Sequence, residues 1–68
     1  MNILHERLKQ ERLSKGYTQK QVATALGVTY NAISQYESGV REPSIDLLIK
    51  LCKFFDVSAD YLIGLDNY

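Results

Sequence analysis

The stretch "GVTYNAISQYESG", residues 27–39, holds Tyr30, Asn31, Ser34 and Gln35 at spacings that bring them onto one side of a helix. Their shared chemistry is hydrogen bonding without charge. Each amide offers a donor beside an acceptor, and each hydroxyl serves as either. A merely solvated helix surface is usually rich in Glu and Lys, so this one suits contact with a partner. Asn and Gln can each make a paired contact with adenine in the major groove, and a tyrosine ring can touch a thymine methyl or reach a phosphate.

Groups for other chemistry are scarce. His5 is the single histidine, with no second ligand at metal-binding spacing. Cys52 is the single cysteine, so no intrachain disulfide or thiol pair can form. It falls on an apolar helix face, where a small buried thiol is the default. No third group orients a Cys and His pair, and 68 residues leave little room for an enclosed substrate pocket. The expectation is no enzyme, no metal and no cofactor.

Composition supports one globular unit over residues 1–68. The chain is 46% hydrophobic and 24% charged, with four Gly and one Pro, which separates it from disordered and fibrous classes. Apolar clusters such as "LLI" fall far short of a membrane span, and "MNILHERLKQ" lacks the apolar core of a signal peptide. A soluble, cytoplasmic protein follows as the expectation. Net charge is zero, yet Arg7, Lys9, Arg12, Lys15 and Lys20 face only Glu6 and Glu11 in residues 1–20. Residues 44–68 reverse this, with Asp46, Asp56, Asp60 and Asp66 against Lys50 and Lys53.

The elements that must position the polar stretch are helical throughout. Leu4, Leu8 and the nearby Leu13 give a first helix over residues 3–15, stopped at Gly16. Thr18 and Gln21 form a capping box that opens a second, whose apolar face is Val22, Ala23 and Leu26 and which ends at Gly27. Thr29 caps a third over about residues 30–37, with Ile33, Val28 and part of Tyr36 turned inward and Gly39 at its end. Ser44 caps a fourth, with Ile45, Leu48, Leu51, Cys52 and Phe55 as the expected buried face. Ser58 caps a short fifth, Asp60 suits its first turn, and Gly64 ends it. No segment alternates with period two, so the fold class is all-α, with five helices.

At this point a resemblance is plain. "TQKQVATALGVTYNAISQYESGVREPS" resembles the helix-turn-helix core of the Cro and phage-repressor family, the xenobiotic-response-element family of bacterial regulators. "LLIKLCKFFDVSADYLIG" resembles that family's fourth and fifth helices. The resemblance implies a compact lambda-repressor-like DNA-binding domain, with a helix-turn-helix core over about residues 18–38 formed by helices 2 and 3. It implies a sequence-specific transcriptional regulator, a repressor that binds a palindromic operator as a homodimer with helix 3 in the major groove. Half-sites would lie about one turn apart, ~34 Å. The alternative is a protein-interaction module or antitoxin-type subunit on the same fold. A regulatory protein partner is a further possibility.

Carried across by residue, the resemblance makes Tyr30, Asn31, Ser34 and Gln35 base-facing positions, and Gln19, Thr29, Ser38 and Arg41 phosphate-facing ones. It aligns Arg12 and Glu37 with an acid-base pair that ties helix 1 to the end of helix 3. The sequence departs from the family pattern at Glu11, where an apolar residue is usual, and at Leu47 and Phe54, where polar or small residues are frequent. The recognition helix carries no Arg or Lys, so base preference should lean towards A·T pairs. Leu47, Phe54, Tyr61 and Leu65 exceed what the last two helices need for a core, and form the expected dimer interface.

Overall fold

Side-chain capping sets the start of every helix but the first. Thr18, Thr29, Ser44 and Ser58 each sit in extended backbone and accept a hydrogen bond from the amide three residues on, which satisfies one of the orphan donors of a helix start. The computed structural model describes residues 3–65. Five helices run α1 Leu4–Ser14, α2 Gln19–Leu26, α3 Tyr30–Ser38, α4 Ile45–Phe55 and α5 Ala59–Ile63. Among the described residues there is no strand, and no helix is long and apolar enough to cross a membrane.

The turn between α2 and α3 depends on Gly27, whose φ of +72° lies in the left-handed region that side chains rarely tolerate. Val28 then donates its N–H back to the Ala23 carbonyl at 3.0 Å, closing the end of α2. Thr29 reopens the helix two residues after Gly27. Because the connection is this short, backbone geometry restricts the orientations that α3 can take on α2.

Every helix contributes at least one fully buried side chain to the core: Leu8, Val22, Ile33, Leu51 with Phe55, and Leu62. In α1 the buried row is Leu4, Leu8 and Arg12, at intervals of four. Leu13, expected near that row, is exposed instead. Arg12 takes the inner place because its charge is neutralised inside the fold.

The buried face of α4 also differs from the expected one. Leu47, Leu51 and Phe55 are buried, Leu48 and Cys52 are half-buried, and Ile45 is exposed. The helix is apolar around more than half its circumference, so several faces satisfy the same spacing rule. Its contacts with α2 and α5 select the one that turns inward.

A polar strap joins α1 to the far ends of α4 and α5, and accounts for Glu11. Tyr61 donates its hydroxyl to Glu11 Oε2 at 3.2 Å, while Lys15 Nζ donates to Glu11 Oε1 at 3.1 Å and to the Phe55 carbonyl. Arg7 lies 4.5 Å from the Tyr61 ring centroid and donates to the Tyr61 carbonyl. Beside this strap Tyr17 packs on Phe54, with ring centroids 5.1 Å apart, and Phe54 packs edge-on against Phe55 at 4.9 Å.

Candidate nucleic-acid interface

The nine residues of α3 divide by side. Ala32, Ile33, Tyr36 and Glu37 are buried, Ser34 is half-buried, and Tyr30, Asn31, Gln35 and Ser38 are exposed. The exposed row is therefore continuous along the helix, with Tyr30 and Asn31 in the first turn and Gln35 one turn further on. Thr29 Oγ1 accepts the Ala32 N–H at 3.1 Å, which leaves its own hydroxyl hydrogen free to donate.

What holds this row at a fixed angle is a buried ion pair beneath it. Arg12 donates from Nε to Glu37 Oε2 at 2.6 Å and from Nη2 to Glu37 Oε1 at 3.0 Å, a bidentate fork. Its remaining nitrogen, Nη1, donates to the Tyr17 carbonyl at 2.9 Å. The hydrogen bond to Glu37 raises the Arg12 pKa above its ordinary value, against the opposing effect of burial. One guanidinium thus ties the last turn of α1 to the last turn of α3 and to the loop that leads into α2.

Glu37 Oε1 accepts a third bond, from Gln19 Nε2 at 3.1 Å. That bond fixes the amide of Gln19 in the first turn of α2, with one of its two N–H hydrogens still unused. The capping box takes the Gln21 and Thr18 amides, through Thr18 Oγ1 at 3.1 Å and Gln21 Oε1 at 2.8 Å. Helix geometry leaves the Gln19 and Lys20 amides without an intrahelical acceptor. These groups rim an open recess of about 660 Å³ lined by Thr18, Gln19, Lys20 and Tyr30 among others. Amide donors, a helix N-terminus and one lysine make that recess suited to an anion.

Beyond α3 the chain turns back on itself. Ser38 Oγ donates to the Gln35 carbonyl at 3.1 Å, and so do the Val40 and Arg41 amides at 3.1 and 3.3 Å. The Arg41 guanidinium sits 5.7 Å from the Tyr36 ring centroid and is exposed. A positive charge is held beside the end of α3 that the helix itself does not carry.

The structure thus brings Gln19, Thr29, Tyr30, Asn31, Ser34, Gln35, Ser38 and Arg41 to α3 and its two flanks. Residue spacing did not indicate Lys20 or the Gln19 to Glu37 bond. The first had a signal, its place beside Gln19 in a helix start, and the second had none, because the partners are 18 residues apart.

The residues expected at a dimer interface are dispersed. Leu47 is buried in the core of its own chain, Phe54 is spent on Tyr17 and Phe55, and Tyr61 is half-buried in the strap, so none of the three is an open apolar side chain. Leu65 alone is well exposed. His5 packs beside Gly39 at the end of α3. Cys52 is half-buried on α4, where burial pushes its thiol pKa up and keeps it protonated.

The helix-turn-helix family profile matches residues 8–62, and the chain belongs to that family. It is 46% identical over 64 residues to the transcriptional regulator ImmR of Bacillus subtilis, covering 94% of this chain and 50% of ImmR. Its fold matches the crystal structure of the P22 c2 repressor in complex with synthetic operator 9T, with a TM-score of 0.89, 32% identity, and coverage of 97% of this chain and 100% of that one. It likewise matches the N-terminal DNA-binding domain of SinR from Bacillus subtilis, with a TM-score of 0.82, 35% identity, and coverage of 96% and 93%. The chain spans about half the length of the curated relatives it matches.

Proposed function

We propose that residues 1–68 form a DNA-binding domain of a transcriptional regulator, a cytoplasmic repressor that recognises a palindromic operator as a homodimer. The observation that carries this reading is the outer row of α3, exposed and uncharged, above a buried ion pair that fixes its angle. Tyr30, Asn31, Ser34 and Gln35 face the base edges in the major groove. The likeness to a repressor whose structure holds a synthetic operator supports the same use of this helix.

The flanks supply the backbone contacts. The first turn of α2, with Gln19 and Lys20, takes one phosphate, and Thr29, Ser38 and Arg41 take others on the far side of the groove. Readout is by uncharged hydrogen bonds and methyl contact, and the positive charge comes from Lys20 and Arg41 outside the recognition helix.

Selection of bound duplexes from a random pool tests this directly. The expected result is an enriched palindrome with A·T-rich half-sites about one helical turn apart, bound with an affinity that falls steeply with salt through counterion release. Absence of duplex affinity even at low salt would reject the reading and leave the protein-interaction module in its place.

A further inference from the structure

Beyond its buried row, α4 carries further apolar side chains, two of them exposed and two, Leu48 and Cys52, packed partly against the core. Ile45, Leu48, Ile49 and Cys52 follow one another at intervals of three, one and three, which puts them on a single stripe beside the buried row of Leu47, Leu51 and Phe55. Ile45 and Ile49 are 71% and 47% exposed, and Leu48 and Cys52 are half-buried. Ile63 and the exposed Leu65 extend the stripe across a groove that also meets Pro43 and Leu48. Exposed apolar side chains set side by side in this way suit an interface with another chain.

The charges along the stripe indicate what covers it. On the helix surface Asp46 and Lys53 border the stripe on the same flank, with the acid near the N-terminus and the base towards the C-terminus, while Lys50 points away from it. The stripe is symmetric about its midpoint, between residues 48 and 49. A two-fold axis there sets Ile45 opposite Cys52 of a second copy and Leu48 opposite Ile49. The same operation brings Asp46 of one copy beside Lys53 of the other, offset along the axis by only about 3 Å at 1.5 Å per residue.

We propose that the outer stripe of α4 is a self-complementary interface, on which a second copy of this chain packs its own α4 antiparallel, with Asp46 exchanged against Lys53. This rests on the homodimer in the operator reading and names the surface that forms it. The contact is isologous, so each apolar and each ionic contact occurs twice. So few side chains per copy place it at the small end of specific interfaces, below about 1,200 Å² in total. The pair is therefore weak in free solution and is completed when two half-sites hold the copies together.

Disulfide trapping tests the register. Ile45→Cys is placed to oxidise with native Cys52 of the second copy, whereas within one helix those positions are about 10 Å apart at 1.5 Å per residue and cannot pair. The expected result, at high protein concentration without DNA and at alkaline pH to ionise the Cys52 thiol, is a covalent dimer several-fold in excess of that from Lys20→Cys, whose site lies on α2. Adding Cys52→Ser should remove the excess. Asp46→Lys should reduce trapping several-fold, and Asp46→Lys with Lys53→Asp should restore it.

A yield no higher than the Lys20→Cys control, or one indifferent to Cys52→Ser, overturns the interface. If trapping fails while salt-dependent duplex binding persists, the surface is wrong and the operator reading stands. If the chain has no duplex affinity, the operator reading fails whatever the trapping yields.

Discussion

α3 and α4 rest on the same core, and they differ in what they leave outside it. α3 buries Ala32, Ile33, Tyr36 and Glu37 and exposes uncharged hydrogen-bonding groups. α4 buries Leu47, Leu51 and Phe55 and still shows Ile45 and Ile49 to solvent. Neither the outer row of α3 nor the Ile45 and Ile49 side of α4 is what helix stability alone would select, since Glu and Lys serve that purpose better. The two faces call for different partners, a hydrogen-bonding one with fixed donor and acceptor positions for α3 and an apolar one for α4.

The anchoring of the two helices differs as well, and the largest predicted effect probes it. Arg12→Ala leaves Glu37 buried without its fork, and should cost about 3 to 5 kcal/mol in urea unfolding. A loss under 1 kcal/mol would mean that α3 is anchored by apolar contact, as α4 is. The pH response follows from the direction of the Arg12 shift. A cation whose folded pKa is raised contributes its full stability below the unfolded value and loses it only as pH climbs through the folded one. Arg12 therefore holds its half of the pair across all neutral and acidic conditions.

For α4 the corresponding change is Leu51→Ala, expected to cost about 2 to 5 kcal/mol through lost burial and a residual cavity. Ile49→Ala, on the same helix but outside the core, should stay within about 0.5 kcal/mol of the parent. Equal costs would erase the distinction between the inner and outer sides of α4.

On α3, Asn31→Ala and Gln35→Ala should leave the thermal midpoint nearly unchanged while weakening binding to the selected duplex by about 1 to 3 kcal/mol and relaxing base preference. Equal losses on selected and random duplex would move these residues from base readout to backbone contact. A modest effect is expected at the cap, where Thr29→Ala should cost about 1 kcal/mol of stability by removing the side-chain acceptor for the Ala32 amide.

Helix starts were the most legible part of the fold in the sequence, because capping is local. Thr18 with Gln21, Thr29, Ser44 and Ser58 announce themselves within four residues. The inner face of α3 was legible for a similar reason, as few of its residues could be core. α4 was not, because a helix with apolar residues on two adjacent stripes fits more than one buried face. Arg12 at the third place of the Leu4 and Leu8 row is invisible to hydropathy, and only the family resemblance pointed to its partner. The link from Gln19 to Glu37 had no local signature at all, being a product of how α2 and α3 are folded together.

The residues of α3 alternate between two duties without sharing them. Ala32, Ile33, Tyr36 and Glu37 belong to the scaffold, and the side chains of Asn31 and Gln35 are exposed outside it. Substitutions in the outer row can therefore accumulate at little cost in folding. Such a helix can drift in target preference, or be redesigned for a new one by exchanging a few surface side chains, while its chassis stays constant.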